Sequence, residues 1–134
     1  ALLSGPHSFP HSPLYDELVR WKGAVVGGAG ADLHAGGRLR QLFSDAGLPE
    51  PIARMEARLE GGPDSPYYEY IAHSVRSMLP EAERQGRAGF TAADVDELER
   101  RLRDEVVASG GMLLAWPVVA AFCRLPADRS ARAE

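Results

Sequence analysis

The chain has 134 residues, 45% of them hydrophobic and 25% charged, and carries a net charge of −4. That length matches one ordinary domain, and the composition is that of a globular protein able to build a core. The acidic balance argues against a general nucleic-acid binder, because neutralising phosphates takes a surplus of Lys and Arg. The longest apolar run, Met112 to Cys123, is too short to cross a bilayer. Cys123 is the single cysteine, which leaves no intramolecular disulfide and no Cys-based metal cage. With no leader pattern in view, the expectation is a cytoplasmic protein. The sequence begins at Ala1, already inside an apolar segment, and a longer natural chain is expected upstream.

Taken in order, Ala1 to Ser4 reads as the end of a strand. The loop "SGPHSFPHSP" follows, where three prolines forbid a helix. Ser12 and Pro13 suit an N-cap and a first helical position. They open a helix with Leu14, Leu18, Trp21 and Val25 on one face, stopped at Gly27 and Gly28. A second helix spans about Gly37 to Ala46, burying Leu39, Leu42 and Phe43, with Gly47 as its C-terminal cap. The alternation in "PIARMEARLE" predicts one half-exposed strand over Ile52 to Glu60, with Met55 and Leu59 inward and Arg58 and Glu60 outward. A third helix starts at Ser65–Pro66, carries Tyr67, Ile71, Val75 and Met78 on one side, and ends before Pro80. Thr91 and Asp94 form a capping-box start for a fourth helix with the stripe Val95, Leu98, Leu102 and Val106. The last segment, Met112 to Leu125, is apolar on both faces. A strand of that kind belongs inside a sheet covered by helices on both sides. About three strands are expected, the last antiparallel and central. The domain is expected to span residues 1–126, with a polar tail over 127–134.

The glycine-rich stretch "AVVGGAGADLHAGG" invites a nucleotide-loop reading and does not fit it. Neither Gly27 nor Gly28 starts a G-x-G-x-x-G series, the upstream segment has helical rather than strand period, and the Gly-Lys-Ser/Thr ending of a P-loop is missing. A helix–helix connection is the expected role.

The segment "GGRLRQLFSDAGL", with Gly37, Arg38, Leu39, Leu42, Ala46, Gly47 and Leu48, followed by the alternating strand, a helical insert and the apolar last strand, resembles the C-terminal half of a class I S-adenosylmethionine-dependent methyltransferase of the small-molecule type. The resemblance covers nearly the whole chain through loose motifs. It implies an α/β, Rossmann-like fold in which the segment's helix follows the fifth strand and feeds the sixth. It also implies a substrate-covering insert over about 65–109, and a seventh strand running antiparallel between the fifth and sixth. The cofactor implied is S-adenosylmethionine. The family's acidic-x-G-x-G-x-G loop is absent from this chain, so the resemblance transfers no cofactor-binding residue. It implies a missing N-terminal half, or a second copy pairing at the sheet edge, besides a small-molecule substrate.

Methyl transfer asks mainly for alignment and exclusion of water, and an acceptor hydroxyl also needs a base. Candidate substrate-binding residues fall in two groups: His7, Phe9, His11 and Tyr15 near the first loop, and Tyr67, Tyr70 and His73 in the insert. Tyr67, Tyr68 and Tyr70 cannot all point one way from a helix, so one or two should pack on the core. His73, between Ile71 and Val75, also reads as a partly buried structural histidine, and Trp116 as core. Pro10 between His7 and His11 argues against a metal pair. Three functional classes stay open: the substrate-binding part of a methyltransferase, a stand-alone α+β module that holds an apolar ligand or a partner protein, or a structural role in which the exposed sheet edge pairs with a second copy.

Overall fold

The computed structural model describes residues 5–127. The expected stub Ala1 to Ser4 and the tail from 128 onward lie outside them. The described chain is mixed α/β with two small antiparallel sheets. It divides into two compact units: one holds the chain up to Leu33 together with Ala57–Pro117, the other His34–Glu56 and the chain from Val118 on.

The first unit contains β1 (His7–Phe9), α1 (Pro13–Gly28), β3 (Leu59–Gly61), α3 (Tyr67–Arg84), α4 (Ala92–Ser109) and β4 (Met112–Leu114). Its sheet has the order β1-β4-β3, antiparallel throughout, with His7 and Leu59 both opposite Leu114. Local chemistry fixes the helix starts. Ser12 Oγ accepts the Tyr15 N–H at 3.1 Å with Pro13 at the first helical position. At α4, Thr91 Oγ1 accepts the Asp94 N–H, and Asp94 Oδ2 accepts both the Thr91 N–H and the Thr91 hydroxyl; the two bonds onto the carboxylate hold it below its usual range. Gly110, at φ 63°, ends α4 in the left-handed region that suits glycine. Thr91→Ala is therefore expected to lower stability by about 1 kcal/mol, read as a shift of the urea midpoint at unchanged slope.

The core closes between the helices. Leu14, Leu18, Trp21 and Val25 of α1 join Ile71 and Val75 of α3 and Val95, Leu98, Leu102 and Val106 of α4, and Leu113 and Ala115 complete the cluster. The apolar periods of α1 and α4 thus identify the buried faces. The helix α3 runs past Pro80, where the sequence expects it to stop. Pro80 and Arg76 are both exposed, so the Arg76 carbonyl that proline leaves without an N–H can turn to water.

The second unit holds a 3-10 turn (Ala35–Arg38), α2 (Leu39–Asp45), β2 (Ile52–Glu56) and β5 (Val118–Phe122). The two strands pair antiparallel from Ile52↔Phe122 to Glu56↔Val118. Gly36 lets the turn approach β5: a Cβ there would stand 2.8 Å from Val119. Arg40 pairs with Glu50 at 2.6 Å, and the Arg54 guanidinium lies over Phe122.

Several expectations are corrected. The proline-rich loop contains β1, because excluding a helix does not exclude an edge strand beside β4. The strand expected over Ile52 to Glu60 is two, β2 and β3, in different sheets. In β3 the faces are reversed, with Leu59 exposed and Glu60 buried, since the Glu60 carboxylate receives Ser65 Oγ at 2.8 Å and pairs with Arg58. The doubly apolar last strand also divides, into β4 and β5 on either side of Pro117, which cannot donate to a ladder. Within it only Leu113 to Ala115 are buried. Val118 is 67% and Phe122 48% exposed, and β5 has β2 as its one neighbour among the described residues. Leu42 is exposed and Leu39 and Phe43 are half-buried, rather than buried as expected.

Candidate functional site

The tyrosines gather where the start of α1 meets the start of α3. Tyr15 and Tyr67 are buried, with their hydroxyls 3.0 Å apart, and Tyr15 donates to the Leu114 carbonyl at 2.8 Å. A phenol has one proton, so Tyr67 must be the donor to Tyr15. Tyr67 stacks on Tyr70 with ring centroids 5.8 Å apart, and Tyr70 is 63% exposed. Tyr68 is buried and donates to the Gly62 carbonyl. The three insert tyrosines thus split as helical geometry requires: two pack inward and one presents a ring to solvent.

Beside this cluster sits Lys22, the only lysine in the sequence and just 8% exposed. Its ammonium donates to Ser74 Oγ at 2.7 Å and lies 5.9 Å from the centre of the Tyr70 ring. Among the described residues no carboxylate lies within ion-pair distance of it. Burial pushes the Lys22 amine below its usual range. Burial is also the main cause that raises the hydroxyls of Tyr15 and Tyr67, so both stay protonated at neutral pH. Tyr15 is therefore a fixed donor that braces β4, and Lys22 is the member of the cluster whose proton burial makes easier to release than usual.

The remaining sequence candidates lie apart from this contact network. His7 meets the Phe9 ring edge-on at 6.3 Å, His11 is 2.9 Å from Asp16, and His73 is 3.9 Å from Glu69. The His73 side chain is 75% exposed, which corrects its reading as partly buried: it projects from the outer face of α3. Trp116 is half-exposed, not core. Among the described residues no three His, Cys, Asp or Glu side chains gather as a metal site would require, and no helix is long and apolar enough to cross a membrane.

No family model, curated protein or solved structure matches the chain. The site has to be read from its own chemistry. Gly27 and Gly28 are the last residues of α1, and a Cβ at Gly28 would come within 2.3 Å of the Gln85 side chain. Glycine there serves helix packing.

Lys22 escapes sequence reading because a lysine is assigned to solvent by default. Its signal is positional. Tyr15, Leu18, Lys22 and Val25 fall at spacings of three, four and three, the pattern of one helix face. A charge inside such a stripe marks a group held out of water.

Proposed function

We propose that this chain is the C-terminal, substrate-binding portion of an S-adenosylmethionine-dependent methyltransferase acting on a small molecule. The observation that carries the reading is the antiparallel pairing of β2 with β5 across a long insert. In the family the chain resembles, the sixth and seventh strands relate in this way, with a helical insert between them. Every residue of β2 is exposed, and a two-stranded sheet is marginal by itself. The reading accounts for those faces as belonging to a larger sheet formed by the cofactor-binding half.

On this reading the first unit covers the acceptor. Tyr70, backed by Tyr67, offers a flat apolar surface for a planar substrate. Lys22, relayed to Ser74, takes the acceptor proton or holds an anionic acceptor oxygen. The resemblance carries no cofactor ligand onto this chain, and on this reading the other half holds the cofactor.

A second reading rests on the closed core of the first unit: a free-standing module that binds an apolar ligand or partner through the exposed Tyr70 ring and performs no chemistry.

Calorimetry separates the two. The 134-residue chain alone is expected to give no saturable heat with S-adenosylmethionine, and the longer protein containing it is expected to bind. Binding by the short chain alone would end this division of labour. A start codon within a few residues of Ala1 would favour the module.

A further inference from the structure

A cleft of about 590 Å³ opens in the first unit, away from the tyrosine cluster, between one face of α1 and the glycine-flanked turn that leaves α3. Glu17, Arg20, Trp21 and Ala24 form one wall, and Gln85 to Gly89 the other. Its volume falls in the range of small-molecule sites. Among the described residues Arg20 and Arg87 lack the carboxylate partner that four arginines of α3 and α4 have. Arg76, Arg84, Arg100 and Arg103 each pair with an Asp or Glu. Arg20 reaches only the Asp16 carbonyl, at 3.3 Å, and Arg87 only Gln85 Oε1, at 2.6 Å. Both use Nε, which leaves the outer nitrogens of each guanidinium without a protein acceptor among the described residues.

Two further features mark the cleft. Trp21 Nε1 is buried and has no hydrogen-bond partner among the described residues. An indole N–H can only donate, and leaving it unmet costs free energy. Beside it, Gly89 has φ +141°, and a Cβ at this position would stand 2.6 Å from that nitrogen. The glycine thus keeps the space next to the N–H free of side chain. Gln85 is itself held by the Val25 carbonyl and by Glu81, so Arg87 hangs from an anchored amide.

We infer that this cleft binds the oxyanion group, carboxylate or phosphate, of a small molecule through Arg20 and Arg87, with the Trp21 indole N–H as a further donor. Guanidinium forks match either oxyanion in bidentate fashion. Glu17 in the same wall reduces the local charge and opposes the anion. The site goes beyond the methyltransferase reading and does not depend on it.

The test uses the indole signals of Trp21 and Trp116 in proton–nitrogen NMR spectra of the protein, titrated with inorganic phosphate or acetate at constant ionic strength against a chloride control. Saturable movement of the Trp21 signal, with Trp116 unmoved, is expected from at least one probe; phosphate alone would point to a phosphate ester, and acetate to a carboxylate. Arg20→Ala and Arg87→Ala should each weaken binding about tenfold, and Glu17→Gln should tighten it. Both arginines are exposed. If an alanine variant fails to fold, glutamine at the same position removes the charge and should give the same loss. Absence of saturable movement with both probes, or movement that persists when both arginines are replaced, overturns the site.

Discussion

Tyr15→Ala is expected to lower the unfolding free energy by about 3–5 kcal/mol, in line with other large aromatic truncations in cores. Tyr15→Phe is expected to lower it by about 1–3 kcal/mol through the hydroxyl alone. Tyr15 is fully buried, and its ring meets Tyr67 edge-on at 6.4 Å. Phenylalanine keeps that packing, but leaves the Leu114 carbonyl without the Tyr15 donor and the Tyr67 hydroxyl without its acceptor. The difference between the two variants isolates the packing contribution. Urea unfolding at neutral pH reads both, and a Tyr15→Phe variant as stable as the wild type would contradict a hydroxyl-centred brace.

The same burial gives a pH dependence of definite sign. Tyr15, Tyr67 and Tyr68 all have their ionisation raised above the ordinary tyrosine value near 10, chiefly by burial. In the unfolded chain they would lose their protons at that ordinary value. The folded state therefore binds more protons above pH 10, and stability falls as pH rises through that region. Below pH 10 the contribution is fully present. In a Tyr70→Phe variant, which keeps only the three buried phenols, absorbance at 295 nm should show tyrosinate appearing together with unfolding, rather than ahead of it.

How far the sequence reveals this molecule depends on whether the deciding interaction is local. The helices α1 and α4 are legible because the cap, the period and the stop lie within a few residues: Ser12 with Pro13, and Thr91 with Asp94 and Gly110. Tyr67, Tyr68 and Tyr70 separate into inner and outer positions by helical geometry alone. The strands are another matter. Alternation in Ile52 to Glu60 cannot reveal that the chain changes sheets after Glu56, since the partners lie in β4 and β5, more than fifty residues away. Nor does apolar content separate the buried Leu113 and Leu114 from the exposed Val118 and Phe122; Pro117 is the one local mark of that boundary. In the site, aromatic residues announce themselves by type. His11 and His73 fit the chemistry equally well by type, yet each meets a carboxylate near the surface instead of the tyrosine network.

Lys22→Met is expected to raise stability by about 1–3 kcal/mol near neutral pH and, if the proposed methyltransferase reading holds, to weaken acceptor binding at least tenfold, two changes of opposite sign. Methionine matches the length and flexibility of the lysine stem, and it removes a charge that Ser74 and the Tyr70 ring serve only in part. Replacing poorly compensated buried charge by apolar surface is commonly stabilising. The sign with pH follows from the lowered amine. Between its folded value and the ordinary 10.5, the unfolded state binds more protons than the folded state, so wild-type stability should rise with pH across that window. The Lys22→Met variant should lose this slope, and denaturation curves below pH 10, before tyrosine ionisation intervenes, make the comparison. An arginine could not serve here, because it does not release its proton in the accessible range. If methionine instead destabilises the protein and the slope persists, Lys22 is an ordinary snorkelling side chain. If the slope disappears and stability rises, the fold keeps a costly amine at the tyrosine cluster for a purpose other than folding, which is what an acceptor-binding role requires.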